Sequence, residues 1–272
     1  MHMNSKVFEK IELPGVKNII VIASGKGGVG KSTIAANLAV SLSRQGHKIA
    51  LVDADLYGPS IPRMLGIQNE KPAVKREGER DCIVPIMKDG IKVISIGFFI
   101  SSGQSLIWRG PMAANGLTQL FRDTLWGDVD YMIVDFPPGT GDIQLTTIQK
   151  LNLSGAIIVT TPQEIAISDA RKATAMFVNP DLNVPILGIV ENMSWFTPAA
   201  HPDEKYHLFG TGGGEKLANE FNTRLLGQIP LVMDIGEGSE EGKSVYNLTD
   251  TALIETFDTI SHHLTEIIKV MA

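Results

Sequence analysis

From about residue 18 onward, short β-branched runs alternate with longer stretches whose apolar positions recur at spacings of three and four. Strand-like runs fall at residues 19–23, 49–52, 93–96, 131–134, 156–159, 186–190 and 225–228, and helical spacing marks 32–44, 114–125, 142–151, 165–177 and 214–220. Such alternation is the mark of parallel strands joined by crossover helices. It predicts an α/β protein with a doubly wound, mostly parallel sheet and helices on both faces. A closing helix over 251–271 places Leu253, Phe257, Ile260, Leu264, Ile267 and Met271 on one stripe. Its polar face offers Glu255, Asp258 and Glu266 against a lone Lys269, so the stripe is expected on the core and not on a membrane surface.

Two stretches break the rhythm. Residues 70–90 are charge-rich and carry Pro72, Gly78, Pro85 and Gly90, which reads as a surface excursion with a hairpin on Cys82-Ile83-Val84. Residues 195–214 hold two prolines, two histidines and a cluster of glycines and read as a long loop, a class that is usually functional or mobile. With 272 residues the chain fits one doubly wound sheet, so residues 1–17 are expected as an N-terminal extension and 18–272 as a single domain.

Charge narrows the partners. With 24 Lys and Arg against 30 Asp and Glu, the chain lacks the broad positive surface of non-specific nucleic-acid binding, and no nucleic-acid partner is expected. No apolar run approaches the roughly 18 residues of a membrane span, and the polar start from Met1 to Lys10 is not a signal peptide, so a cytoplasmic protein with no membrane partner is expected. The single cysteine, Cys82, excludes an intrachain disulfide and any Cys-x-x-Cys metal motif.

The chemistry centres on Gly25-Lys26-Gly27-Gly28-Val29-Gly30-Lys31-Ser32-Thr33, between the first strand run and the first helix. Glycines let successive backbone N–H groups turn toward phosphate oxygens, Lys31 adds a charge for the β- and γ-phosphates, and Ser32 offers a hydroxyl to Mg²⁺. The helix that follows aims its positive end at the same place. Asp53 and Asp55 end the second strand at the edge where open α/β sheets bind ligands. Asp55 is expected to orient the attacking water and Asp53 to stand near the metal's outer shell, unless either serves only as a turn-forming aspartate. Asp135 ends an apolar strand and is expected to hold Mg²⁺ through water. Gly139, in the Pro137-Pro138-Gly139 segment after it, is expected to bring its N–H to the γ-phosphate, so that hydrolysis releases a switch loop. Asn192 either meets the adenine edge or caps a turn, and Pro230 stands in the other wall of the base pocket.

Lys26 sets this loop apart, because a bulky cation between two glycines has no packing role in a tight turn. It is either a solvated loop lysine or a reaching one. The loop resembles the deviant Walker A motif of the SIMIBI-class ATPases, which include MinD and ParA, and there the equivalent lysine reaches across a dimer to the partner's nucleotide. Further segments resemble the Mrp/ApbC family of iron-sulfur cluster carrier ATPases. They are 53–66, Trp108-Arg109-Gly110-Pro111-Met112, 135–142, Thr161-Pro162-Gln163, Glu191-Asn192-Met193-Ser194 and 209–214. The resemblance implies a homodimer that binds ATP at two sites, hydrolyses it slowly, and helps deliver iron-sulfur clusters to apoproteins with cluster-assembly partners. Family members that carry the cluster place a Cys-x-x-Cys shortly after the Glu-Asn-Met-Ser segment. Here that region reads from Trp195 to His207 without a cysteine, leaving Cys82 as the sole candidate thiolate, and His201 and His207 at a spacing of six that solvated histidines share. A second reading is therefore a nucleotide-switched scaffold or MinD/ParA-like organiser that does not itself hold a cluster.

Overall fold

The computed structural model describes residues 10–99, 110–248 and 250–271. The strands are β1 (Val16–Ala23), β2 (Ile49–Asp53), β3 (Ala73–Glu77), β4 (Arg80–Val84), β5 (Ile86–Lys88), β6 (Ile91–Ser95), β7 (Val129–Asp135), β8 (Gly155–Thr160), β9 (Ile186–Asn192) and β10 (Leu225–Ile229). The helices are α1 (Lys31–Arg44), α2 (Ile61–Met64), α3 (Gly110–Asp123), α4 (Asp142–Lys150), α5 (Glu164–Phe177), α6 (Gly213–Glu220), α7 (Met233–Glu240) and α8 (Thr251–Met271). Eight strands form one sheet in the order β10-β9-β8-β1-β7-β2-β6-β5, parallel except where β5 pairs antiparallel with β6.

Alternation along the central strands explains the two helical layers. Ile20 and Ile22 of β1, with Tyr131 and Ile133 of β7, face Ile34, Leu38 and Leu42 of α1 and Phe257, Ile260 and Leu264 of α8. Ile19, Val21 and Ala23, with Met132 and Val134, face the opposite core of Leu117 and Phe121 from α3, Ile143 and Ile148 from α4, and Phe177 from α5. Burying both faces is what made these strands continuous apolar runs.

All seven expected strands and the six expected helices are present, with ends shifted by a few residues. β1 starts at Val16, inside the expected extension, and Ile11 and Leu13 pack on the core beside it. Three elements were not expected: the antiparallel edge strand β5 and helices α2 and α7. The hairpin on Cys82-Ile83-Val84 is β3–β4. The 195–214 stretch is not a plain loop, because Phe196 and Tyr206 exchange backbone hydrogen bonds of 2.9 and 2.8 Å and α6 begins at Gly213. The fully buried stripe of α8 ends on Ile268, while Ile267 packs partly buried against the same core and Met271, in the last turn, is exposed. Trp108 and Arg109 lie outside the described residues.

Candidate nucleotide site at the carboxyl edge of the sheet

Strand register assembles the site. Asp53 ends β2 and Asp135 ends β7, and parallel pairing sets them directly side by side, with Ser95 of β6 next to Asp53 and Ile22 of β1 next to Asp135. Beyond the end of β1 the chain turns through Gly28 and Gly30 at φ +79° and +82°, left-handed conformations that glycine adopts without cost, and enters α1. Val29 between them buries its side chain in the core and so fixes the loop from below.

A cleft of about 200 Å³ opens above this loop, lined by Lys26, Gly27, Gly28, Gly30, Lys31, Ser32 and Thr33, with Asp55, Met64 and Pro138 opposite. Gly25 is also required by packing: a Cβ there would fall 2.1 Å from the Asp169 backbone of α5. Lys31 is buried, with its ammonium 2.5 Å from Asp135 Oδ1, 3.6 Å from Asp55 Oδ2 and 3.4 Å from Ser32 Oγ. None of the ion pairs among the described residues involves Lys26.

Two carboxylates, Asp55 and Asp135, flank Lys31, and Asp53 stands beside Asp135. Burial and the neighbouring Asp135 push the Asp53 carboxyl up to about 8, while hydrogen bonds from Ser95 Oγ and the backbone N–H groups of Asp55 and Ile61 pull the other way. Burial also raises the Asp135 carboxyl, opposed by Lys31. Asp135 Oδ2 is buried without a hydrogen-bond partner among the described residues. A hard cation or its water shell fits that atom, because unpaired carboxylate oxygen in the interior is costly and oxygen donors beside Ser32 suit Mg²⁺.

Three residues with expected ligand roles are held by protein partners here. Asp53 is fully buried, is absent from the cleft lining, and accepts from three donors, so it shapes the turn that carries Asp55 from behind the cleft. Gly139, at φ +93°, donates its N–H to the Ser24 carbonyl at 2.9 Å. Asn192 donates its amide to the Val29 carbonyl at 2.9 Å, bracing the loop from behind, and Gly30 is glycine because a Cβ would lie 2.2 Å from that amide. Pro230 follows β10 on the same side of the sheet edge and is half-buried. Lys31, Ser32, Thr33, Asp55 and Lys26 are brought together as expected. Ser95 and Glu191 were missed; the one signal for each was a polar residue at or near the end of an apolar strand.

Cys82 is a free, buried thiol on β4, its Sγ 4.0 Å from the Arg80 carbonyl. His207 Nδ1 stands 3.1 Å from the Ser194 carbonyl and His201 pairs with Glu204. No group of three or more His, Cys, Asp or Glu placed to hold a metal occurs among the described residues.

Residues 15–265 match the family model of the ParA-type NUBPL iron-transfer P-loop NTPases. The chain belongs to this family. It is 42% identical over 97% of its length to an iron-sulfur cluster carrier protein of Aquifex aeolicus, and 49% identical over 84% to one of Escherichia coli K12. It spans 71% and 60% of those proteins' lengths. An Archaeoglobus fulgidus nucleotide-binding protein solved in complex with ADP, with cobalt found in it, is 36% identical with a TM-score of 0.76, covering 90% of this chain and 93% of that one. The Pyrococcus furiosus cell division ATPase MinD shares the fold, with a TM-score of 0.64 at 21% identity over 92% of this chain and 99% of its own. In this member of the P-loop NTPase family the glycine-rich loop lines the cleft just described. No helix among its described residues is long and apolar enough to cross a membrane.

Proposed function

We propose that this NTPase binds ATP with Mg²⁺ in the cleft, hydrolyses it as a homodimer, and uses the cycle to assist assembly or transfer of iron-sulfur clusters to apoproteins. The observation that carries the reading is Lys31 held between Asp135 and Asp55 beneath a glycine-rich loop. Phosphoryl transfer to water asks for charge and position, and this group supplies both. Loop N–H groups and Lys31 would bind the phosphates. Lys31 moving onto them would free Asp135, with Ser32, to hold Mg²⁺, which supplies charge neutralisation between the β- and γ-phosphates. Asp55 would accept a hydrogen bond from the attacking water. Gly139 would exchange the Ser24 carbonyl for a phosphate oxygen, which makes the Pro137-Pro138 segment a switch. Asn192 and Pro230 would frame the base.

Lys26 lines the cleft without an ion-pair partner among the described residues and would reach a second subunit's phosphates. Tyr57, 78% exposed, flanks a second cleft of about 240 Å³ that shares Pro138 with the first, a surface fit for the facing subunit. The cluster is cargo in this reading, and the residues do not fit a thiolate cage of this chain's own: one cysteine, buried in a hairpin, against the four thiolates such clusters take. The chain therefore acts as the nucleotide switch while cluster ligands come from a partner.

Phosphate release from Mg²⁺-ATP tests the activity: Lys31→Ala should lose about 100-fold or more in turnover, and a fully active Lys31→Ala would overturn it. Anaerobic reconstitution with iron and sulfide tests the cargo role. Wild type and Cys82→Ser should retain equally little iron; a stable chromophore lost in Cys82→Ser would show a chain that holds the cluster itself.

A further inference from the structure

Glu191 is a buried carboxylate that the hydrolytic reading does not use. Its Oε1 accepts from Ser194 Oγ at 2.9 Å and from Gln228 Nε2 at 2.7 Å, and its Oε2 accepts from the Gly214 N–H at 2.6 Å. One side chain thereby joins β9, β10, the first turn of α6 and the root of the 195–212 segment. That segment is an ordered tongue. The Phe196–Tyr206 backbone pair closes it, Trp195 accepts from Leu231 N–H at 2.7 Å, Lys205 stacks on the Trp195 ring at 4.3 Å, and Tyr206 and Leu208 stand exposed.

The residue before the tongue's root touches the phosphate loop. Asn192 holds the Val29 carbonyl, and Ser194 is held to Glu191 and, through its N–H, to the Ile229 carbonyl at 3.0 Å. Between them Met193 sits at φ +55°, a left-handed conformation that costs a side-chain-bearing residue about 1 kcal/mol or more. A residue held there by fixed neighbours has little freedom to absorb a displacement. A displacement of the Val29 carbonyl would meet Asn192 first and, through the held Met193, Ser194.

We propose that Asn192-Met193-Ser194, latched by Glu191, couples the phosphate loop to the 195–212 tongue, so that the tongue's order reports whether nucleotide is bound. Ser194 and Glu191 are positioning residues in this role. The proposal rests on the cleft being the nucleotide site, and it adds how occupancy of that site is displayed on the surface.

Hydrogen exchange on the full chain tests it, with and without ADP, and nucleotide binding is measured on the same samples by a fluorescent ADP analogue. In wild type the amides of Phe196 and Tyr206 should change exchange rate by about threefold or more on binding. Ser194→Ala, which does not line the cleft, should bind nucleotide within about twofold of wild type and lose that response. Ser194→Thr keeps the hydroxyl and should retain it. Nucleotide bound with an unchanged tongue in wild type, or a full response in Ser194→Ala, would overturn the coupling. No binding at all would instead refute the nucleotide site. If Ser194→Ala does not fold, the wild-type comparison decides together with Glu191→Gln, which should weaken the response at unchanged affinity.

Discussion

Asp53 and Asp135 are neighbours because two parallel strands end in register, and Asp53 carries the charge of Asp135 as a cost. The sign of the resulting pH dependence follows from linkage. An Asp53 carboxyl raised to about 8 in the folded chain from 3.8 keeps a proton that the unfolded chain has lost, so this group's contribution to stability is fully present at low pH and is lost as pH rises from about 4 to about 8. Thermal melts of Asp53→Asn should show a flatter profile over that window than wild type; identical profiles would contradict the assignment. The glycines separate in the same way. Gly28 and Gly30 share a left-handed φ, but a Cβ at Gly28 meets open space and one at Gly30 meets Asn192. Gly28→Ala should cost about 1–2 kcal/mol, the backbone term alone. Gly30→Ala should cost more and weaken nucleotide binding by at least about tenfold, since it also displaces the Asn192 brace. That the glycine-rich loop, Asp55 and Asp135 would meet was legible in the chain, because the loop follows β1 and the two aspartates end or follow strands of the same sheet edge. The true task of Asp53, and the parts played by Ser95 and Glu191, depend on strand register between distant segments and left no local pattern.

Among the elements, six of the seven expected strands lie inside the sheet and were legible because burial on both faces enforces apolar runs. β5 is three residues between Pro85 and Gly90, and pairing with β6 makes it a strand more than its own sequence does. Helix α2 is four residues with a proline in its first turn, and α7 contains Gly236 and Gly238, so neither has strong propensity. They stabilise each other: Arg63 of α2 pairs with Glu240 of α7, and Gly66 and Gly242 bring their backbones into contact. A Cβ on Gly242 would lie 2.5 Å from Gly66 Cα, at φ +74°. Gly242→Ala should therefore lower the melting temperature by several degrees, at about 2–4 °C per kcal/mol for a chain of this size. Because Ile61 N–H anchors Asp53 and Met64 lines the cleft, turnover should fall with it. Unchanged stability and turnover would show that α7 does not support the acidic turn.

At the scale of the whole molecule, the proposed function makes the cleft half of a site. In it Lys31 would serve its own subunit's nucleotide, and Lys26 lines the cleft with no ion pair of its own among the described residues. Hydrolysis should then depend on subunit concentration, rising more than linearly below the dimer dissociation constant, and a second subunit should matter to turnover more than to binding. The most direct test is steady-state hydrolysis of Mg²⁺-ATP by wild type and Lys26→Ala over a range of protein concentrations, with ATP affinity measured alongside. The account predicts that Lys26→Ala binds ATP within about twofold of wild type while losing at least about tenfold in turnover and its concentration dependence. Turnover in Lys26→Ala equal to wild type at every concentration would contradict it.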